Sequence, residues 1–352
     1  MRSFRSAKSE EVIRAGTSKA SLKSIVEASD SAKNELQIVF EQKGDGSSTK
    51  QAFSQGKAYR TAVHYLHQRF AALPYRLHTI TFNPTDHDLI RGEPGKRRSY
   101  IDRAVSAENS TYFKRIHDYQ RILLHRNTLL KNETRDFESL RTFGEQLCIL
   151  GSNIVFGRLQ WLQRMSEKIL LKAEKVAPHQ EIIRFTYLTT IFNSLSRNNK
   201  ELFPVHFSRQ SDLPSLQEIE QNYRSILQKS EKLDLILRST SAGPHRDDWL
   251  VHGGEKLLKG HGSQGEIRTA LLGIRLSEIE LFQESTGQNP LFLLDDFSSE
   301  LDQDRRTGLL NYLEETRLQV FITTTEMGKI RSEGKIFRLN QGQLENYGNA
   351  RN

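Results

Sequence analysis

Cysteine, tryptophan and methionine are scarce in this sequence of 352 residues, which contains one Cys, two Trp and three Met. The single cysteine, Cys148, excludes a disulfide within the chain and fits a reducing compartment such as the cytoplasm. No apolar run approaches the ~20 residues that a membrane-spanning helix needs, so we expect no membrane partner. The basic N-terminus has no apolar segment after it and lacks the pattern of a secretory signal. These absences predict a cytoplasmic protein.

Acidic residues are outnumbered, since 51 Lys and Arg stand against 43 Asp and Glu and give a net charge of +8. The excess is concentrated between Arg91 and Lys131, where ten basic and four acidic residues give a net +6. Such a segment suits a polyanionic partner, because each neutralised phosphate releases counterions. A solvated helix face is the alternative interpretation, and charge alone does not separate DNA from RNA or from a membrane surface.

The first hundred residues have mainly strand patterns. Glu35–Phe40 alternates and is predicted to be a strand, followed by a loop over 43–51 that is rich in turn residues. Arg76–Phe82 is predicted to be a second strand, which ends at Asn83-Pro84.

Helical spacing begins at about Asp102, and Tyr112–Lys131 is predicted to be one amphipathic helix. Apolar residues with heptad spacing follow: Leu140, Phe143, Leu147, Leu150, Ile154 and Trp161. We expect two antiparallel helices of one arm rather than an intermolecular coiled coil, because the heptads last only about three repeats. Glu181–Phe192 returns to strand character, and Leu216–Gln228 returns to helical character.

The last third of the chain alternates short strands with helices. Trp249–Val251 and Lys256–Leu258 flank a Gly-Gly turn and are predicted to form a hairpin. A glycine-rich loop over 260–265 then opens onto a helix whose apolar face contains Ile267, Leu271, Ile274 and Leu281. The apolar runs Leu291–Leu294 and Val320–Ile322 predict a parallel sheet covered on both faces.

Two carboxylates, Asp295 and Asp296, follow the buried strand directly, and this pattern matches a Walker B motif. Open α/β sheets bind ligands at the carboxyl ends of their strands, where a carboxylate can hold Mg²⁺ against nucleotide phosphates. Asp295 is therefore the predicted metal ligand, and Asp296 is predicted to orient or deprotonate the attacking water. The alternative is that both side chains only cap the following turn.

Two further loops accompany this motif at the expected spacing. Ser263-Gln264-Gly265-Glu266 matches the signature loop of ABC-type ATPases, where a hydroxyl, backbone N–H groups and a helix dipole can receive a phosphate. Ser299-Glu300-Leu301-Asp302 matches the D-loop that follows Walker B. A glycine-serine loop is weak evidence by itself, whereas three motifs in order are specific.

The chain resembles the RecF family over almost its whole length, with weak matching only near 135–235. The segments that carry the resemblance are RSFR (2–5), FNPTDHDLIRGEPGKRRSYID (82–102), YQRILLHRNTLLK (119–131), SAGPHRDD (241–248), GSQGEIRT (262–269), LLDDFSSELDQDRR (293–306) and QVFITTT (319–325).

This resemblance implies an α/β fold, an ABC-type ATPase head that is incomplete at its N-terminus and carries a helical arm or second lobe. Residues 1–103 would form the N-terminal part of the head, 104–235 the arm, and 236–352 the C-terminal part of the head. Two heads would close as an ATP-dependent homodimer on single-stranded DNA or a single-strand/double-strand junction. DNA repair, replication restart, recombinase loading and SOS induction, with mediator partners such as RecR, would be its setting.

The resemblance also assigns roles to single residues. The residues expected to contact ATP are Ser263, Gln264, Gly265, Asp302 and Thr324, while Asp295 would hold Mg²⁺ and Asp296 would be catalytic. Thr324 belongs to Thr323-Thr324-Thr325, where many ABC ATPases have a histidine, so we expect slow hydrolysis. The residues expected to contact DNA are Arg97, Arg98, Arg121 and Arg126.

The family's phosphate-binding loop, GxxxxGK[ST], does not occur in the 352 residues. Within the family it would lie about one strand and one helix before Met1, so we expect a fragment of a complete protein rather than a degenerate homologue. Whether the chain by itself is an enzyme stays open. Two other functions remain as alternatives: a nucleotide-free module that dimerises or binds DNA, and an ABC ATPase of transport or metabolism.

We predict that these 352 residues bind Mg-ATP weakly or not at all. The backbone nest and lysine of a phosphate-binding loop supply most of the nucleotide affinity in such proteins. Isothermal titration with Mg-ATP measures it, and a low-micromolar dissociation constant would contradict the prediction.

Overall fold

The structure, a computed structural model, describes residues 9–27, 33–44, 47–59, 77–132, 136–176, 182–192, 203–206, 213–297, 301–316, 318–325, 334–341 and 343–349. The chain divides into two compact units, Met1–Thr79 and Ile80–Asn352. The predicted division at 103/104 and 235/236, into two parts of a head with a helical arm between them, stays a prediction. The RSFR segment at 2–5 lies outside the described residues. Within the described residues, no helix is both long and apolar enough to span a membrane.

The first unit contains an antiparallel sheet in the order β1-β2-β3-β4. Its strands are β1 (Lys19–Glu27), β2 (Lys33–Gln42), β3 (Ser48–Ser54) and β4 (Lys57–Tyr59). The strand predicted over Glu35–Phe40 is confirmed inside β2, where Leu36 and Phe40 are buried on alternate positions. The loop predicted over 43–51 is shorter than expected, because Ser48 already pairs with Gln42 and begins β3.

Helices dominate the second unit. They are α1 (His87–Arg91), α2 (Pro94–Glu108), α3 (Ser110–Lys131), α4 (Phe137–Val176), α5 (Leu216–Leu237), α6 (Leu258–His261), α7 (Gln264–Thr286) and α8 (Gln303–Thr316). The helix predicted over Tyr112–Lys131 is confirmed as α3, but helical structure begins well before Asp102. Pro94 opens α2, since its fixed φ suits the first helical position.

The predicted antiparallel pair is formed by α3 and α4. His125 stacks on Phe143, whereas Tyr112, earlier in α3, shares the Asp102 carboxylate with Arg158, later in α4. Residue numbers therefore run in opposite directions along the two helices. The four main heptad positions are all buried: Leu140, Leu147, Ile154 and Trp161. Leu147, Ile154 and Trp161 belong to one cluster with apolar residues of α2, α5 and α7, so the two helices are part of this unit's core.

Among its described residues, the second unit contains three sheets. Their strands are β5 (Thr79–Phe82), β6 (Ile183–Thr189), β7 (Phe203–His206), β8 (Asp248–Gly253), β9 (Lys256–Leu257), β10 (Leu291–Leu294), β11 (Val320–Ile322), β12 (Lys335–Asn340) and β13 (Gln343–Asn349). The sheet orders are β11-β10-β5, β7-β6-β8-β9 and β12-β13. Strand β5 is shorter than the predicted strand, and Arg76 lies outside the described residues.

The parallel pairing predicted for the two apolar runs is confirmed, because β10 and β11 are parallel with Leu294 opposite Ile322. The hairpin of β8 and β9 is also confirmed. The prediction that both faces are covered fails for β11, where Phe321 is 51% exposed. Since β11 lies at the edge of its sheet, its side chains have fewer neighbours than those of β10.

The segment Thr240–Asp248, which we call the hub loop, lies where helices α2 to α5 meet β6. Arg97 of α2 forks onto the Asp248 carboxylate with N–O distances of 2.7 and 2.8 Å. Arg126 of α3 contacts the Thr240 hydroxyl at 2.7 Å, and Arg158 of α4 donates to the Pro244 carbonyl at 2.8 Å. Three buried guanidinium groups therefore fix this one loop.

Gly243 of the hub loop has a backbone conformation that only glycine adopts readily, with φ at +130°. A Cβ at this position would lie 2.1 Å from the Tyr223 hydroxyl and 2.6 Å from the Tyr119 hydroxyl. Both tyrosines are buried, and their hydroxyls are 3.0 Å apart. The glycine therefore lets the loop pass directly over a pair of tyrosine rings.

We predict that Gly243→Ala lowers the free energy of unfolding by roughly 3 kcal/mol or more, because backbone strain and overpacking each cost about 1–3 kcal/mol. Urea denaturation followed by circular dichroism measures the change. Gly144→Ala is the control, since a Cβ there meets nothing within 4 Å and alanine favours the helix. Equal stability of Gly243→Ala and the unmodified chain would contradict this explanation of the hub loop.

Candidate functional site

Asp295 and Asp296 lie at the carboxyl end of β10, as the Walker B pattern predicts. The backbone N–H of Asp295 donates to the Phe82 carbonyl of β5 at 2.8 Å. On the other side, the Thr323 hydroxyl donates to Asp295 Oδ1 at 2.7 Å and accepts from the Asp296 N–H at 2.9 Å. The strand end is therefore held from both neighbouring strands, and Thr323 fixes both aspartates.

Asp296 has left-handed backbone geometry, with φ at +55°. A non-glycine residue in this region is uncommon and is tolerated where the surroundings impose it. Here Phe297, 2% exposed, is buried directly after it, and the Phe297 N–H donates to the Thr323 carbonyl at 3.0 Å. The buried ring and the two contacts with Thr323 thus hold the turn in which Asp296 lies.

The oxygen ligands at this strand end fit Mg²⁺, which is commonly held in proteins by one or two carboxylates together with substrate phosphates. Among the described residues there is no cluster of three or more His, Cys, Asp or Glu that could form an all-protein metal cage. Asp295 is the residue that would hold the ion. Bound there, Mg²⁺ would neutralise charge on phosphate oxygens.

Ser263, Gln264 and Gly265 begin α7, as the signature-loop pattern predicts. Ser263 forms a reciprocal capping box with Glu266, in which the Ser263 hydroxyl accepts from the Glu266 N–H at 3.2 Å. The hydrogen bonds from the Ser263 N–H and hydroxyl, together with Lys256, lower the pKa of Glu266 to about 2. The loop is therefore capped independently of any ligand, and its role toward phosphate stays a prediction.

Arg305 joins this signature loop to the D-loop, a contact that the sequence analysis did not identify. Its guanidinium bonds the Asp302 carboxylate, donates to the Thr269 hydroxyl at 2.9 Å and reaches the Gly265 carbonyl at 3.4 Å. Although burial opposes it, hydrogen bonding from Arg305 lowers the pKa of Asp302. Asp302 also begins α8, because its Oδ1 accepts from the Arg305 N–H at 2.9 Å.

The predicted site residues thus form two clusters, one of Asp295 and Asp296 with Thr323, and one of the signature loop with Asp302. Thr323 makes the hydrogen bonds to both aspartates described above, and the contact of Thr324 with ATP stays a prediction. In the parallel register of β10 and β11, Leu294 lies opposite Ile322, which puts Asp295 opposite Thr323. This register is the signal by which Thr323 could have been identified. Ser299 and Glu300 of the D-loop lie outside the described residues.

For two of the four arginines predicted to contact DNA, the prediction of a surface contact is wrong. Arg97 is 1% exposed and pairs with Asp248, and Arg126 is 4% exposed and pairs with Asp234 at 2.7 Å. A buried guanidinium needs a buried partner, because losing water without one is costly. Arg121 is 67% exposed, and its contact with DNA stays a prediction. Arg98 is half-buried and faces a cavity.

We predict that Arg305→Ala loosens the first turn of α7. Removing its bonds to Gly265 and Thr269 costs about 1–1.5 kcal/mol locally, so the amides from Gly265 to Arg268 should exchange hydrogen roughly tenfold faster. Hydrogen–deuterium exchange by mass spectrometry measures this rate. Asp304→Ala is the control, because Asp304 is an exposed residue next to Arg305 on α8. Unchanged exchange in this turn would show that Arg305 does not hold the signature loop.

The comparisons with known proteins agree with these motifs. No protein-family model matches the chain. The chain is 32% identical over 353 residues to the DNA replication and repair protein RecF of Trichlorobacter lovleyi, covering 99% of this chain and 86% of that protein. It is 34% identical to RecF of Oenococcus oeni over 295 residues, covering 80% of this chain and 74% of the relative.

The fold agrees as well. A solved structure of the recombination mediator protein RecF with ATP, in the RecFOR pathway, superposes with a TM-score of 0.79. The sequences are 26% identical, and the match covers 99% of this chain and 85% of that one. With a relative above 30% identity along nearly the whole chain, the same fold and the same ordered motifs, this chain belongs to the RecF family of DNA replication and repair proteins.

Proposed function

We propose that this chain acts as a recombination mediator in DNA replication and repair. It binds single-stranded DNA or a single-strand/double-strand junction as an ATP-dependent homodimer and supports recombinase loading and SOS induction in the cytoplasm. A RecR-type protein is the proposed mediator partner. The observation that carries the proposal is the 32% identity to a RecF protein along 99% of the chain.

The residues of this chain that would meet the nucleotide belong to the two clusters. Asp295 would hold Mg²⁺, and Asp296 would orient the attacking water from the turn fixed by Thr323. Ser263, Gln264 and Gly265 would face the phosphates of a nucleotide held by the second subunit, since a capped helix N-terminus offers N–H groups and a positive dipole end. Arg305 bonds both Asp302 and the Gly265 carbonyl, and it would thereby hold Asp302 beside the signature loop.

The proposed DNA-contacting surface consists of exposed cations on the lobe of α2 and α3. Lys114 and Arg121 are exposed on α3, and Arg103 is exposed on α2. They replace Arg97 and Arg126, whose charges are neutralised inside the core. Contacts of this kind go to phosphates and are largely indifferent to sequence.

We predict that the double charge reversal Lys114→Glu with Arg121→Glu weakens binding to a junction DNA and reduces its salt dependence. Each lost phosphate contact should lower the slope of log K against log salt by roughly 0.7–0.9. Fluorescence anisotropy with labelled junction DNA, repeated at several KCl concentrations, measures both quantities.

The matched control reverses two exposed lysines of α5, Lys229→Glu with Lys232→Glu, and so changes the net charge equally. If both pairs reduced affinity and slope to the same extent, the attraction would be a general effect of net charge. If the chain bound no junction DNA at any salt concentration, the exposed cations of α2 and α3 would not form a DNA-contacting surface in this chain.

A further inference from the structure

A cavity of about 300 Å³ lies between the hub loop and helices α2, α3 and α4. Its walls include Arg98 and Ser99 of α2, Gln120 of α3 and His245 of the hub loop. Ser99 and Gln120 are exposed, so the cavity opens to the surface on the side of α2 and α3. It belongs to neither of the two clusters that we assign to the nucleotide.

Arg98 is the charged group of this cavity that lacks a counter-ion. It is half-buried, and its guanidinium donates to the backbone carbonyl of Asp247 at 2.7 Å. Within the described part of the chain, no carboxylate lies within ion-pair distance of it. Burial lowers the pKa of Arg98, and the nearby Arg158 guanidinium acts in the same direction, while the carboxylates of Asp248, Asp247 and Asp102 act against them without forming an ion pair with Arg98. A guanidinium bonded to one carbonyl still has several N–H donors to offer a ligand.

The carboxylates nearest to Arg98 are committed to other partners. Asp102 lines the cavity, but its oxygens bond the Tyr112 hydroxyl at 2.7 Å and two nitrogens of Arg158 at 2.8 and 2.9 Å. Asp248 takes the fork of Arg97. The Asp247 carboxylate accepts instead from the Tyr187 hydroxyl at 2.7 Å and the Thr190 N–H at 3.3 Å.

His245 contributes no charge to the cavity near neutral pH. Its Nε2 lies 3.1 Å from the Thr240 carbonyl and its Nδ1 lies 2.7 Å from the Tyr119 hydroxyl, a pattern that fits a neutral ring donating through Nε2. Burial lowers the pKa of His245 to about 4. The charge available to a ligand is therefore that of Arg98, with the Ser99 hydroxyl one residue away and the first turn of α2 at Gly95 beside it.

We propose that this cavity is a phosphate-binding pocket in which Arg98 is the anchor. A tetrahedral anion suits it, because a guanidinium recognises phosphate through paired N–H donors and a helix N-terminal turn favours negative charge. The pocket opens on the lobe that bears the exposed cations Arg103 and Lys114. The expected source of the phosphate is the DNA backbone, which rests on the proposed function; a free phosphate is the other source of the same chemistry.

Two variants test the pocket. Arg98→Gln removes its anchor, and Ser99→Glu puts a carboxylate at its mouth without touching the bond between Arg98 and the Asp247 carbonyl. Lys229→Gln is the control, because Lys229 is an exposed cation that does not line the cavity. Circular dichroism and thermal melting establish whether each variant is folded. If Arg98→Gln does not fold, Ser99→Glu alone tests the pocket.

The first measurement is anisotropy with junction DNA over a series of KCl concentrations. If the phosphate belongs to DNA, Arg98→Gln and Ser99→Glu should bind roughly tenfold more weakly, the loss expected for one charged hydrogen-bonding group. Their salt slopes should also fall by roughly 0.7–0.9, while Lys229→Gln keeps the original slope. Arg98→Lys should recover much of the slope, since it restores the charge without the paired donors.

The second measurement is the melting temperature in inorganic phosphate against chloride at equal ionic strength. Stabilisation of the unmodified chain by phosphate, lost in Arg98→Gln and Ser99→Glu, would assign the pocket to a free phosphate. This arm also decides the inference if the chain binds no DNA. If both variants matched Lys229→Gln in both measurements, the pocket would not bind phosphate and the proposal would be overturned.

Discussion

The second unit depends on one constraint: each of its buried arginines must be paired with a carboxylate. Arg97, Arg126 and Arg158 are each at most 4% exposed, and each pairs with a carboxylate from another element. Such pairs contribute little net stability, because desolvation offsets the attraction, but removal of one partner leaves an isolated buried charge at a cost of about 3–5 kcal/mol. Because each of the three arginines also bonds the hub loop, together they fix this loop relative to helices α2, α3 and α4.

The same principle connects the core to the candidate site. Arg275 lies within α7, the helix that begins at the signature loop, and it pairs with Asp86 at 2.9 Å. Asp86 follows β5, and β5 supplies the Phe82 carbonyl that accepts from the N–H of Asp295. A buried ion pair thus fixes the signature helix relative to the strand that holds the Walker B aspartate. Arg305 adds a second connection at the surface, from the first turn of α7 to Asp302.

The sequence predicted the parts of this fold that follow from local pattern. Apolar runs identified β10 and β11, and helical spacing identified α3, because backbone periodicity and burial leave a regular signal. The boundary at Asp102 was wrong because Pro94 starts a helix whose buried face contains Arg97, a residue that no apolar pattern includes. Thr323 and Arg305 were missed because their roles arise from register and from a contact between separate helices, neither of which is encoded in nearby residues.

The net charge of the segment 91–131 can be counted from the sequence, but the sequence does not show which of its side chains carry that charge at the surface. Five ion pairs join this segment to charged residues outside it: Lys96–Asp88, Arg97–Asp248, Arg126–Asp234, Asp102–Arg158 and Glu108–Arg164. Three of these pairs bring in acids and two bring in arginines, so the net +6 of ten basic and four acidic residues falls only to +5. What changes is which side chains carry that charge at the surface, and among the candidates Arg97 and Arg126 give way to exposed cations and to the cavity-facing Arg98. A long-range field depends on the sum, whereas a contact depends on exposure, and only the first can be read from composition.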